Sequence, residues 1–123
     1  MDRRPTTRRD VAEFLVQFRA AVDFGRKSMR ARQKNTQGLI DLGITESMAW
    51  EEIKRLGTEN YVTGPMPDDT DESKEVWVFG TVINGTEAYI KLRLARVPGK
   101  QHVYHAVVWS FHPAEHTLSY PLR

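Results

Sequence analysis

Two β-patterned runs near the C-terminal end carry the side chains best suited to chemistry: Tyr89-Ile90-Lys91-Leu92-Arg93-Leu94 and Val107-Val108-Trp109-Ser110-Phe111-His112. Successive residues of a strand point to opposite faces, so Ile90, Leu92 and Leu94 face one way and Tyr89, Lys91 and Arg93 the other. If the second run pairs beside the first with Val107, Trp109 and Phe111 toward the core, then Ser110 and His112 join Tyr89, Lys91 and Arg93. That face would gather an imidazole, a phenol and two fixed cations, a set suited to phosphate chemistry. Metal-free RNA cleavage needs a base for the ribose 2′-hydroxyl, an acid for the leaving 5′-oxygen and cations for the charge that builds on phosphorus. His112 fits the proton transfer, Lys91 and Arg93 fit the phosphate, and Tyr89 fits a hydrogen bond or a stacked base. An ordinary solvated sheet face shows the same alternation, and spacing alone leaves both readings open.

Other chemistries are carried less well. The four histidines, His102, His105, His112 and His116, raise a metal site, and His112 and His116 have the i, i+4 spacing of helical zinc ligands. Pro113 stands where a helix through both would begin, and no glutamate follows His112 as in HExxH, so no metal or other cofactor is expected. Ser110 is flanked by Trp109 and Phe111 rather than by the glycines of a nucleophile elbow. The absence of cysteine excludes disulfides, a thiol nucleophile and thiolate-bound zinc.

The rest of the chain must position that face. Thr7 with Asp10 reads as a capping box before Val11, Phe14, Leu15, Phe18 and Val22, which predicts a helix over residues 8–24 ended by Gly25. The basic segment 26–34 reads as a short edge strand or an extended linker. Asn35 or Thr36 caps a second helix through Leu39, Ile40 and Leu42, ended by Gly43, and Thr45 caps a third that Gly57 stops. Trp50 lies off the apolar stripe of that third helix, so it either widens the buried face or touches a partner. Residues 64–75, rich in proline, glycine and acids, read as an exposed acidic loop that only Met66 could anchor. Val76-Trp77-Val78-Phe79 leads to Asn84-Gly85, a strong hairpin signal, with a returning strand over 86–95. A turn at Pro98-Gly99-Lys100 precedes a third strand over 102–112.

The expected fold is therefore α+β: mostly N-terminal helices in one layer, packed on an antiparallel sheet whose C-terminal part is a three-strand meander. At 123 residues one domain is expected, with residues 1–7 as a flexible N-terminus. The start, Met1-Asp2-Arg3-Arg4-Pro5, lacks the apolar stretch of a signal peptide, and no run is long and apolar enough for a bilayer, so a cytoplasmic location is expected. The net charge of +2 conceals a partition: residues 1–34 carry ten Lys or Arg against four acids, residues 41–75 three against ten, and residues 76–123 five against two. A polyanion would meet the basic ends, and a basic partner or solvent the acidic middle.

In several places the chain resembles the MqsR family, toxins of type II toxin–antitoxin modules. The resemblance is carried by Leu42-Gly43-Ile44-Thr45, by Asn60-Tyr61 followed by Gly64-Pro65, and by Val76-Trp77-Val78-Phe79-Gly80. It is carried chiefly by Tyr89-Ile90-Lys91-Leu92 with Ser110-Phe111-His112-Pro113-Ala114-Glu115. Order and spacing agree over roughly residues 8–121. The resemblance implies a RelE-like two-layer sandwich and a ribosome-independent mRNA endoribonuclease, or mRNA interferase, that arrests translation and growth. Its implied partners are single-stranded mRNA and a cognate antitoxin with a helix-turn-helix DNA-binding domain, and no membrane. Tyr89 and Lys91 fall on functional positions of the family, and His112 falls where its members place a lysine. Val78 and Val62 stand where a glutamine and a lysine are expected. Taken with the strand reading, which adds Arg93, the expected catalytic set is His112, Tyr89, Lys91 and Arg93, with Glu115 orienting His112. Arg26, Lys27, Arg30, Arg32, Lys34 and Tyr61 would extend the RNA track. For the basic segment, a solvated edge that deters strand addition is the alternative. A noncatalytic binding module using the same face is the alternative for the whole.

Overall fold

The computed structural model describes residues 4–123. Helix α1, Arg8–Asp23, starts at the capping box: the Thr7 hydroxyl accepts the Asp10 N–H, and the Asp10 carboxylate accepts the Thr7 N–H. Of the expected flexible N-terminus, residues 1–3 lie outside the described residues. Arg4 is instead paired with Asp10, and the Thr6 hydroxyl donates to the Gly64 carbonyl. The apolar stripe Val11, Phe14, Leu15, Phe18, Ala21 and Val22 is buried against a five-stranded sheet, where the Phe14 ring stacks on Trp77 at 4.5 Å.

The strands are β1 (Lys27–Met29), β2 (Tyr61–Pro67), β3 (Glu75–Ile83), β4 (Thr86–Arg96) and β5 (Tyr104–Pro113), in the order β1-β5-β4-β3-β2. The meander β3-β4-β5 is antiparallel, and Asn84 and Gly85 both take positive φ in its first turn, as a type I′ turn requires. The basic segment supplies β1, which pairs parallel to β5 and makes the sheet mixed. Helix α2, Gln33–Leu42, begins earlier than expected, so Asn35 lies within it rather than capping it. Helix α3, Glu46–Lys54, is capped by the Thr45 hydroxyl and adds Ala49, Trp50 and Ile53 to the core. Trp50 thus widens the buried face, with the Lys27 ammonium 5.0 Å above its ring.

Two further expectations are corrected. Residues 64–67 are strand, not loop: they complete β2, an edge strand of irregular register in which proline forfeits no essential ladder bond. The loop is shortened to residues 68–74, and its anchor is Asp68, which is only 3% exposed. The second correction is a bulge in β5. Lys91 pairs with Ser110 but Leu92 pairs with Val108, which leaves Trp109 as the extra residue. A bulge reverses the facing of everything beyond it. Val107 therefore sits opposite Arg93 on the outer face, away from α1, while Val108 and Ala106 enter the core.

Candidate nucleic-acid interface

On the bulge's C-terminal side the expected face is assembled: Tyr89 pairs with His112, and Lys91 with Ser110. The two rings stack, with centroids 5.2 Å apart and planes 18° from parallel. His112 is 7% exposed, and its Nδ1–H donates to the Pro113 carbonyl at 2.8 Å. That bond leaves Nε2 as the lone-pair nitrogen. Among the described residues no buried side-chain nitrogen or oxygen lacks a partner, and none bonds Nε2, so Nε2 reaches solvent. His112 lines a groove of about 490 Å³ together with Lys34, Gln37, Gly38, Pro113 and Glu115. Burial pushes the His112 pKa below the usual histidine value. The Pro113 carbonyl opposes that shift, and the charges of Lys34 and Arg32 add to it. At neutral pH the ring is thus an uncharged base, oriented through one nitrogen and open at the other.

Helix α2 forms the wall of this groove because Gly38 permits it. A Cβ there would come within 2.5 Å of the Phe111 carbonyl oxygen and 2.6 Å of the His112 Cβ. Asn35, 1% exposed, does what a neighbouring strand would do beyond the end of β1. Its amide nitrogen donates to the carbonyls of Arg30 and Trp109, and its oxygen accepts the Phe111 N–H. From its sequence position Asn35 reads as a cap, and Asp68 as a loop acid, so neither announces its role. The C-terminal tail is fastened to β3 and β4: Leu118 N–H and Tyr120 O–H both donate to the Glu87 carboxylate, and both side chains cover Gly80. Burial and that carboxylate push the Tyr120 phenol up to about 12.

The remaining residues are distributed differently from expectation. Lys91, 8% exposed, donates to Asp68 at 3.1 Å. Burial acts to raise the Asp68 pKa, but hydrogen bonds from the Thr70 side chain and backbone and from Lys91 outweigh it and hold the carboxyl at about 2. Arg93 lies four residues from Tyr89, about 13 Å along the strand at ~3.3 Å per residue. It donates to the Glu75 carbonyl and lines a separate cavity of about 800 Å³ with Trp77 and Tyr104. Glu115 pairs with Lys34, not with His112, so the Pro113 carbonyl takes over the orienting role expected of Glu115. Tyr61 is buried in the core with its hydroxyl on the Gly64 carbonyl, which withdraws it from any RNA track. Val78, between Thr63 and Lys91 in the ladder, is fully buried.

Of the basic segment, Arg26 donates to the Tyr104 carbonyl and Lys27 lies over Trp50. Arg30 lies over Trp109, and Arg32 reaches Ser110 Oγ at 3.4 Å. Neither Arg30 nor Arg32 has a carboxylate partner among the described residues. No group of three or more metal-ligating side chains is placed to hold an ion among the described residues, and no helix there is long and apolar enough to cross a membrane. Comparison with protein-family models, with curated proteins and with solved structures found no match to this chain.

Proposed function

We propose that the protein is a metal-independent endoribonuclease acting on single-stranded mRNA, the toxin of a type II toxin–antitoxin pair. The observation that carries the catalytic part is the His112 imidazole, neutral, fixed through Nδ1 and open at Nε2, stacked on the Tyr89 phenol beside Arg32 and Lys34. In this reading Nε2 takes the proton of a ribose 2′-hydroxyl and the 2′-oxygen attacks phosphorus. The bond to the 5′-oxygen breaks as that oxygen receives a proton from the Tyr89 phenol, which the imidazolium restores through solvent. The products are a 2′,3′-cyclic phosphate and a 5′-hydroxyl. Arg32 neutralises the charge developing on the phosphoryl oxygens. The toxin role rests on the MqsR resemblance, and its partner would be a helix-turn-helix antitoxin.

Incubation of the purified chain with single-stranded RNA in EDTA tests the chemistry, and 2′,3′-cyclic ends are the expected product. His112→Ala is expected to lose about 2.7 kcal/mol of barrier lowering, roughly a hundredfold in rate. Full activity in that variant removes His112 as the proton-transfer group. Expression in bacteria should arrest growth, with relief by the product of the adjacent gene. A second reading, a noncatalytic RNA-binding module, draws support from Val62, Val78 and the neutralised Lys91. It predicts salt-dependent RNA binding without cleavage.

A further inference from the structure

The β5 bulge turns Trp109 out of the core, half-buried, and the exposed Arg30 guanidinium lies over its ring with the central carbon 4.0 Å from the centroid. The backbones beneath this stack are held firmly. Arg30 N–H donates to the Val108 carbonyl at 3.0 Å, and the Asn35 amide donates to the carbonyls of both Arg30 and Trp109. One buried side chain thus fixes the two halves of the stack relative to each other. Next along the same edge, Arg32 reaches Ser110.

We infer that the Arg30–Trp109 stack is a platform for one base of a single-stranded RNA, with Arg32 holding the phosphate between that base and the Tyr89–His112 pair. This rests on the reading of the outer face as an RNA surface. A guanidinium stacked on an indole keeps its second planar face toward water, and it is weakly hydrated, so a nucleobase covers that face at small desolvation cost. Every base offers a π-face, so such a platform binds without reading sequence. Trp109 is three residues from His112, a separation of roughly 7–10 Å along a bulged strand and close to the length of one extended nucleotide. The base would therefore belong to a nucleotide adjacent to the reacting phosphodiester. In the competing arrangement Arg30 only shields the indole from water, and nothing stacks above it.

The test uses the full chain carrying His112→Ala, so that the strand is not consumed. The probes are a short uridine homopolymer and an abasic ribose-phosphate strand of equal length. The base-bearing strand should bind roughly tenfold more tightly and quench tryptophan fluorescence, because Trp50 and Trp77 are buried in the core and Trp109 is not. Arg30→Lys keeps the charge, and with it the salt dependence, but lacks the planar face and should abolish the preference for bases. Trp109→Phe should keep that preference and lose the quench. Equal affinity for the two strands, or an undiminished base preference in Arg30→Lys, overturns the platform. If the unsubstituted chain cleaves RNA while bases confer no affinity, the platform falls and the nuclease reading stands. Base-dependent binding without cleavage leaves the platform and removes the nuclease, and failure to bind either strand at low salt removes both.

Discussion

Two stretches of one sheet face treat their positive charges in opposite ways. In the middle of the face, Lys91 is sealed under the 68–74 loop against Asp68, itself gripped by Thr70. Along the β1–β5 edge, Arg30 and Arg32 meet an indole ring and a hydroxyl and have no anion beside them among the described residues. A lysine in a central strand under a covering loop keeps its charge only beside a counter-charge, because desolvation otherwise favours the neutral amine. A cation at the edge keeps water on one side and retains its charge for a visitor. A residue's usefulness for phosphate is thus decided by what covers it, and only secondarily by which side of the strand it occupies.

The sharpest way to break this comparison is Asp68→Ala. Stranding the buried Lys91 ammonium should cost about 3 kcal/mol or more in a urea titration, and adding Lys91→Met should recover much of the loss. A neutral Asp68→Ala would mean that Lys91 is solvated and free to bind phosphate after all. Acid offers a gentler route to the same pair. The Asp68 pKa falls from an ordinary 3.8 to about 2 on folding, so its contribution is fully present above pH ~4 and disappears as pH drops through 2. A tenfold change in proton affinity corresponds to about 1.4 kcal/mol, so roughly 2 kcal/mol should be lost across that window and should be missing from the titration of Asp68→Asn.

At the open end the expected effects are smaller and fall on the proposed cleavage activity. Lys34 helps depress the His112 pKa, whereas Glu115 works to raise it. Lys34→Ala removes the first and unpairs the second, so the acidic limb of the cleavage profile should move to higher pH. An unmoved limb would show that Lys34 does not act on the titrating base. Glu115→Ala is the mildest change. Its ion pair with Lys34 is exposed, and the midpoint of thermal or urea unfolding should barely move. The Nδ1–H bond to the Pro113 carbonyl should persist in that variant, as nitrogen-15 shifts of His112 would report.

Local chemistry is what the amino-acid order carries well, and it accounts for most of the architecture. The Thr7–Asp10 box, the apolar stripe of α1, the caps at Thr45 and Gly43 and the Asn84-Gly85 turn all depend on neighbours a few residues apart. The facing of Tyr89 and of His112 within their own strands follows the same local alternation, because both lie where the bulge does not interrupt it, whereas their pairing across 23 residues is tertiary. Tertiary structure alone decided the rest. Nothing local distinguishes a bulge at Trp109 from continuous alternation, yet it moves an indole from core to surface. Nothing local tells Asp68 from its acidic neighbours, yet 23 residues of separation close into the contact with Lys91. Asn35 likewise meets its partners on β5 across more than 70 residues. Periodicity reports which side of an element a residue occupies. The partner that waits there is fixed by long-range closure, and that partner sets whether a charge is neutralised inside the fold or kept for a ligand.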